Sequence, residues 1–166
     1  AALGAVFNFT AVYLQSLGLT SGLFFVFYST TNVICRFWGG GLSDRYGRLI
    51  VIVPNLLVFA LGVLLYYFTN GEILLGLSAG LIGIGFGLSN PAILAMVLDR
   101  STPAEQGLAI GVFNFAFQAG MVGTTPIFGF IAEHWGFGPM WLISSACILA
   151  SAAVFLLPAP RLPTAD

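Results

Sequence analysis

Residues 39–68 read GGGLSDRYGRLIVIVPNLLVFALGVLLYYF. The stretch has two parts. From Leu49 to Phe68 it is apolar and carries no charge. A helix needs about 20 mainly apolar residues to cross the hydrocarbon core. Lipid offers no water to backbone N–H and C=O groups, so helix is the default for such a run. Ahead of it, Gly40-Gly41-Leu42-Ser43-Asp44-Arg45-Tyr46-Gly47-Arg48 crowds glycine and charge together. Gly40 and Gly47 permit a tight turn there. The pair reads as a charged turn at the membrane surface feeding a spanning helix.

The rest of the chain follows that reading. Of 166 residues, 58% are hydrophobic and 7% are charged. A soluble domain carries about 25% charged residues, so this chain has too few to cover a soluble surface. Six apolar runs are expected to form helices, at residues 1–17, 22–38, 49–68, 73–98, 108–131 and 139–157. The fold class expected is an all-α integral membrane bundle of six helices over 1–157, with a short tail at 158–166. The first run begins inside an apolar stretch, which suggests a fragment. Pro91 and Pro126 fall within helices, where each removes a backbone hydrogen bond. Gly76, Gly80, Gly83 and Gly87 in the fourth helix, and Gly107, Gly111, Gly120 and Gly123 in the fifth, suit close helix approach.

Orientation follows from the arginines. The five basic residues are all arginine. Connections 18–21, 69–72 and 133–138 carry none of them. Arg45, Arg48, Arg100 and Arg161 lie in segments 39–48, 99–107 and the tail, and Arg36 can snorkel toward the same side. Because successive helices alternate in direction, this arginine-bearing set is expected to be cytoplasmic, and both ends of the segment with it. The expected setting is the inner or plasma membrane. Trp135 and Trp141 are expected in an interfacial aromatic belt, and Cys35 and Cys147 as small buried apolar groups.

The loop at 40–48 resembles the signature loop of the major facilitator superfamily, Gly-x-Leu-(Ala/Ser)-Asp-Arg-x-Gly-Arg-Arg, departing only at Leu49. Residues 99–109 resemble the family's loop between its tenth and eleventh helices, and 120–129, with Pro126, a degenerate glycine–proline pattern. The fourth helix lacks the intramembrane arginine usual in first halves. The resemblance therefore implies a C-terminal six-helix half, with an N-terminal six-helix half as partner. It also implies that Asp44, flanked by Arg45 and Arg48, latches the cytoplasmic side against the other half. An anion at a helix N-terminus is the physical means. Asp99, Arg100 and Glu105 are charge partners on the same face, with Arg48 able to pair with Asp99 or Glu105.

If so, the first, second, fourth and fifth helices line a substrate cavity, as in facilitators generally. The cavity candidates are Asn8 and Tyr13, Ser29 and Asn32, and Asn114 and Gln118. Ser29, Asn32 and Arg36 are spaced three and four apart and share a helix face, as do Asn114 and Gln118. Amides are costly in lipid unless paired or turned inward, and bonding between helices would satisfy them equally well. Ser89-Asn90-Pro91 reads as a bend.

No mid-membrane carboxylate is present, so proton coupling would use the other half. His134 reads as an interfacial residue. The sequence holds no phosphate-cradling loop, no nucleophile triad at usable depth and no His-Glu-x-x-His pattern, so neither an enzyme, a cofactor nor a metal site is expected. Near-zero net charge argues against nucleic acid. The expected function is secondary active transport of a small molecule, a drug-like compound or sugar, by alternating access. The alternative is a small non-transporting scaffold or pore subunit.

Overall fold

The structure is a computed structural model that describes residues 2–156, apart from the side chains at 39, 40, 42 and 44. Every regular element among the described residues is an α-helix: α1 Ala2–Ser16, α2 Ser21–Tyr46, α3 Arg48–Tyr67, α4 Glu72–Asp99, α5 Gln106–Gly123, α6 Thr125–Trp135 and α7 Phe137–Leu156. Four continuous segments are long and apolar enough to cross a membrane by themselves: Arg48–Tyr67, Glu72–Asp99, Gln106–Trp135 and Phe137–Leu156. As described, α1 has 15 residues, about 22 Å of helix, less than a hydrocarbon core of about 30 Å. α2 is long enough, but Ser29, Asn32 and Arg36 dilute its apolar character.

Three helix boundaries differ from the sequence expectation. Segment 39–48 is not a loop: α2 continues to Tyr46, and Gly47 alone connects it to α3. Gly47 has φ 93°, a conformation that glycine adopts without steric cost. The connection expected at 133–138 likewise shrinks to Gly136, with φ 82°. The fifth helix is broken at Thr124 into α5 and α6. Pro126 stands at the start of α6, where its missing N–H leaves no helical bond unmade. Around the break, Thr124 Oγ1 donates to Gly120 O at 2.7 Å and Thr125 Oγ1 to Met121 O at 3.1 Å. The expected tail at 158–166 lies outside the described residues.

The core is built on α4, which packs against both α2 and α3, while α7 packs on α3. Its glycines make the close approaches. A Cβ at Gly83 would lie 2.7 Å from Tyr28 O, and one at Gly87 2.9 Å from Asn32 O. On the other side of α4, a Cβ at Gly85 would lie 2.7 Å from Asn55 O. At three of the four glycines expected to do the same in α5, the described residues make no close approach. Nothing lies within 4 Å of a Cβ at Gly107, Gly111 or Gly123, because α5 has no buried residue of its own.

An aromatic cluster closes the end of the bundle where α1, α3 and α7 meet. Tyr66 sits edge-on to Trp141 with ring centroids 4.8 Å apart, and Tyr13 lies 5.3 Å from Tyr66 and 5.5 Å from Trp141. Trp141 is fully buried and therefore belongs to the core and not to an interfacial belt. Trp135 is exposed. Cys147 is also exposed, and Cys35 is half-buried.

Candidate functional site

Two of the expected polar residues stand on one lightly packed helix. α5 meets α1, α4 and α6 only lightly, and Asn114 and Gln118 are both exposed on it. They stand four residues apart and so project from one side of the helix. Exposed apolar neighbours Val112 and Phe115 surround them. An amide facing lipid is unfavourable, and no described residue covers this face.

Asn8 is exposed on α1 and donates from Nδ2 to Thr125 Oγ1 at 2.8 Å. That bond ties α1 to the start of α6, just beyond the break in the fifth helix. Gly4, one turn earlier on α1, is in tight contact with Met121, where an added Cβ would collide with the Met121 carbonyl. The break is thus pinned to α1 at two successive turns. Ser29 is exposed on α2, whereas Asn32 is half-buried against α4, with an Nδ2 that finds no hydrogen-bond partner.

Tyr13 stands apart from this set. It is 8% exposed, its ring lies in the aromatic cluster, and its hydroxyl donates to Tyr66 O at 3.4 Å. Its ring packs against Tyr66 of α3 and against Phe137 and Trp141 of α7.

At the other candidate site, two of the charged residues named from the sequence meet. Arg48 Nε donates to Asp99 Oδ2 at 2.8 Å, and Arg48 Nη2 to Asp99 Oδ1 at 3.4 Å. Arg48 Nη1 also donates to Ser43 Oγ at 2.9 Å. The guanidinium therefore clasps the last turn of α2, the first of α3 and the end of α4. Glu105 is not in that group; its Oε2 accepts from Thr102 Oγ1 at 2.7 Å within the α4–α5 connection. Arg45 is exposed. Gly40 and Asp44 lie within the helical run of α2, and their side chains are outside the described set.

Residues 1–166 match the family described as Major Facilitator Superfamily. The chain belongs to that family. It is accordingly an all-α integral membrane protein of a transporter family and not an enzyme. It is similar to the quinolone resistance protein NorA of Staphylococcus aureus, at 26% identity over 151 residues, which cover 89% of this chain and 39% of that protein. It is also similar to an uncharacterized MFS-type transporter of Salmonella typhimurium, at 31% identity over 137 residues, 81% of this chain and 34% of that one. The chain thus spans about two fifths of the length of the curated relatives it matches.

Within this member of the superfamily, sequence reasoning missed three positions. Thr125 is the partner of Asn8 and could have been suspected only as a polar residue beside Pro126. Gly4 makes a close approach of α1 to Met121 of α5 but has no partner glycine at helical spacing to signal it. Gly85 lies between the expected Gly83 and Gly87 but on the face turned to α3, outside the three- and four-residue spacing of the glycines that face α2.

Proposed function

We propose that this chain is the C-terminal half of a secondary transporter that moves a neutral or amphipathic small molecule by alternating access. The observation that carries the reading is α5: the first part of the span Gln106–Trp135, with two exposed amides, three glycines facing open space and no buried residue. Such a face is suited to a second half and to a polar substrate held between the halves. Asn114 and Gln118 are the first candidates for substrate contact, with Asn8 and Ser29 as neighbours on the adjoining helices. Asn32 serves mainly the α2–α4 seam.

The name of the staphylococcal relative points to quinolone-like drugs as the first compounds to try, with export as the first direction. The arginine-bearing ends of α2, α3 and α4 are assigned to the cytoplasm. The Arg48–Asp99 clasp holds the signature segment in register there, so that Asp44 can engage the other half when the cytoplasmic side is closed. The direct test is transport by the full-length protein in everted vesicles, using a panel of neutral, zwitterionic and cationic drugs beside sugars. Export of an aromatic drug is expected. Uptake of a sugar with no drug movement would overturn the substrate class, and no transport of any compound would overturn the reading.

A further inference from the structure

A cavity of about 260 Å³ lies between α1, α3, α4, α5 and α7. It is separate from the polar face of α5. Phe113 and Phe117 line it, each one residue before an amide, and one residue is a rotation of about 100° around the helix. No residue of α2 is among the described residues lining it.

The walls are aromatic. Phe86 of α4 stacks on Phe117 of α5 with centroids 6.0 Å apart and 29° between the planes, and Phe59 of α3 lies 6.2 Å from Phe86. Phe155 of α7 adds a further ring. None of the described lining residues is charged, so a charged ligand would lose its hydration without compensation. Ser89 and Asn90 are polar residues of the lining; Ser89 is 2% exposed, and its Oγ has no hydrogen-bond partner among the described residues. Buried hydroxyls are normally paired, and one left unpaired is costly. Cys147 and Ser151 of α7 line the cavity and are exposed, which leaves a way in along that helix.

We propose that this cavity is a binding site for a neutral aromatic amphiphile, with its rings among Phe59, Phe86 and Phe117 and one hydrogen-bonding group on Ser89 Oγ. An apolar cavity of about 150 Å³ suffices for benzene, so the larger space here admits a ligand of two or three rings. The site stands on its lining alone and does not depend on the transport reading.

N-phenyl-1-naphthylamine is a suitable probe: neutral, three-ringed, with a single N–H to donate to Ser89. Its fluorescence increment over empty micelles would be titrated against the full-length protein in detergent. Saturable binding at one site per chain is expected. Ser89→Ala should weaken it about fivefold, the usual range for one buried hydrogen bond. Ser151→Phe, which fills the mouth, should abolish it, and Cys147→Trp serves the same end one turn away if that variant does not fold. Ser101→Ala, beyond the last turn of α4 and outside the lining, should bind as the wild type does. Non-saturable partition, undiminished affinity in Ser89→Ala or in the filled variants, or loss of binding in Ser101→Ala would each overturn the site. So would a phospholipid that co-purifies with wild type and is lost from Ser151→Phe, which would give the cavity to an acyl chain.

Discussion

Arg48, the first residue of α3, holds the carboxylate of Asp99, the last residue of α4, through two nitrogen–oxygen contacts of 2.8 and 3.4 Å. The side chains are 23% and 54% exposed. An ion pair this open adds little to stability in water; its value lies in fixing geometry. A forked guanidinium fixes the approach of a carboxylate in a way that an ammonium does not. Arg48→Lys and Asp99→Ala should each lower transport several-fold with normal insertion. Arg48→Ala should lose more, because it also releases Ser43. Residues that act as a unit are non-additive, so Arg48→Ala/Asp99→Ala should be no worse than Arg48→Ala alone. Initial transport rates, normalised to protein in the membrane, measure this. Losses that multiply would separate the two residues.

The same pair brings the ends of α3 and α4 to one side of the membrane, next to every described arginine except Arg36. With Cys35 and Cys147 replaced, a cysteine at position 101 should react with an impermeant maleimide in everted vesicles and remain unlabelled in intact cells. Labelling from outside would invert the topology.

Glycine should have opposite worth in α4 and α5. A Cβ at Gly85 would lie 2.5 Å from the backbone nitrogen of Phe59, so Gly85→Ala should force α3 and α4 apart, at a cost of about 1–3 kcal/mol. A Cβ at Gly111 meets nothing within 4 Å. Gly111→Ala should be neutral or stabilise the helix by up to about 1 kcal/mol, unless the other half uses that opening. Thermal unfolding of the purified protein gives both signs. A fall in Gly111→Ala equal to that in Gly85→Ala would mean that a partner surface packs against α5 as tightly as α3 packs on α4.

For the amide pair, Asn114→Ala/Gln118→Ala should reduce transport at least tenfold while leaving the melting temperature within a few degrees. Normal kinetics in the double variant would reassign both side chains to contact between the two halves.

Asp44→Asn should favour the cytoplasm-open state. An anion at a helix N-terminus is worth about 0.3–1 kcal/mol when exposed, a two- to fivefold shift in a two-state population. Distances between spin labels on the two halves would report it, and an unchanged distribution would remove Asp44 from the latch.

The helices were legible wherever the apolar run was long and plain. Residues 49–68 and 73–98 were placed within a residue or two of α3 and α4, because nothing in the two runs competes with lipid. Errors arose where one residue type serves two ends. Three glycines and a charge cluster after Trp38 resemble a loop, yet the helix persists to Tyr46. Ser43 meets the Arg48 clasp, and these polar residues can continue a helix into water. The apolar run at 108–131 predicts one helix through Pro126, but Pro126 stands at the start of a new one. The four-residue spacing of Asn114 and Gln118 was readable; the burial of Tyr13 and Trp141 was not, because sequence hydropathy cannot say which aromatic ring meets which. The Ser89 cavity had no signature, since it arises from five helices at once.

The one-residue connection at Gly47 has a mechanical consequence. α2 has 26 residues, about 39 Å of helix, so roughly 9 Å extends beyond a hydrocarbon core of about 30 Å. That overhang is joined to α3 without slack, and Arg48 bolts it to α4. Force applied at the overhang therefore reaches three helices as torque about a common pivot, with no loop to absorb it. Lengthening the pivot by two or three glycines should leave each helix intact and uncouple the crank from the shaft.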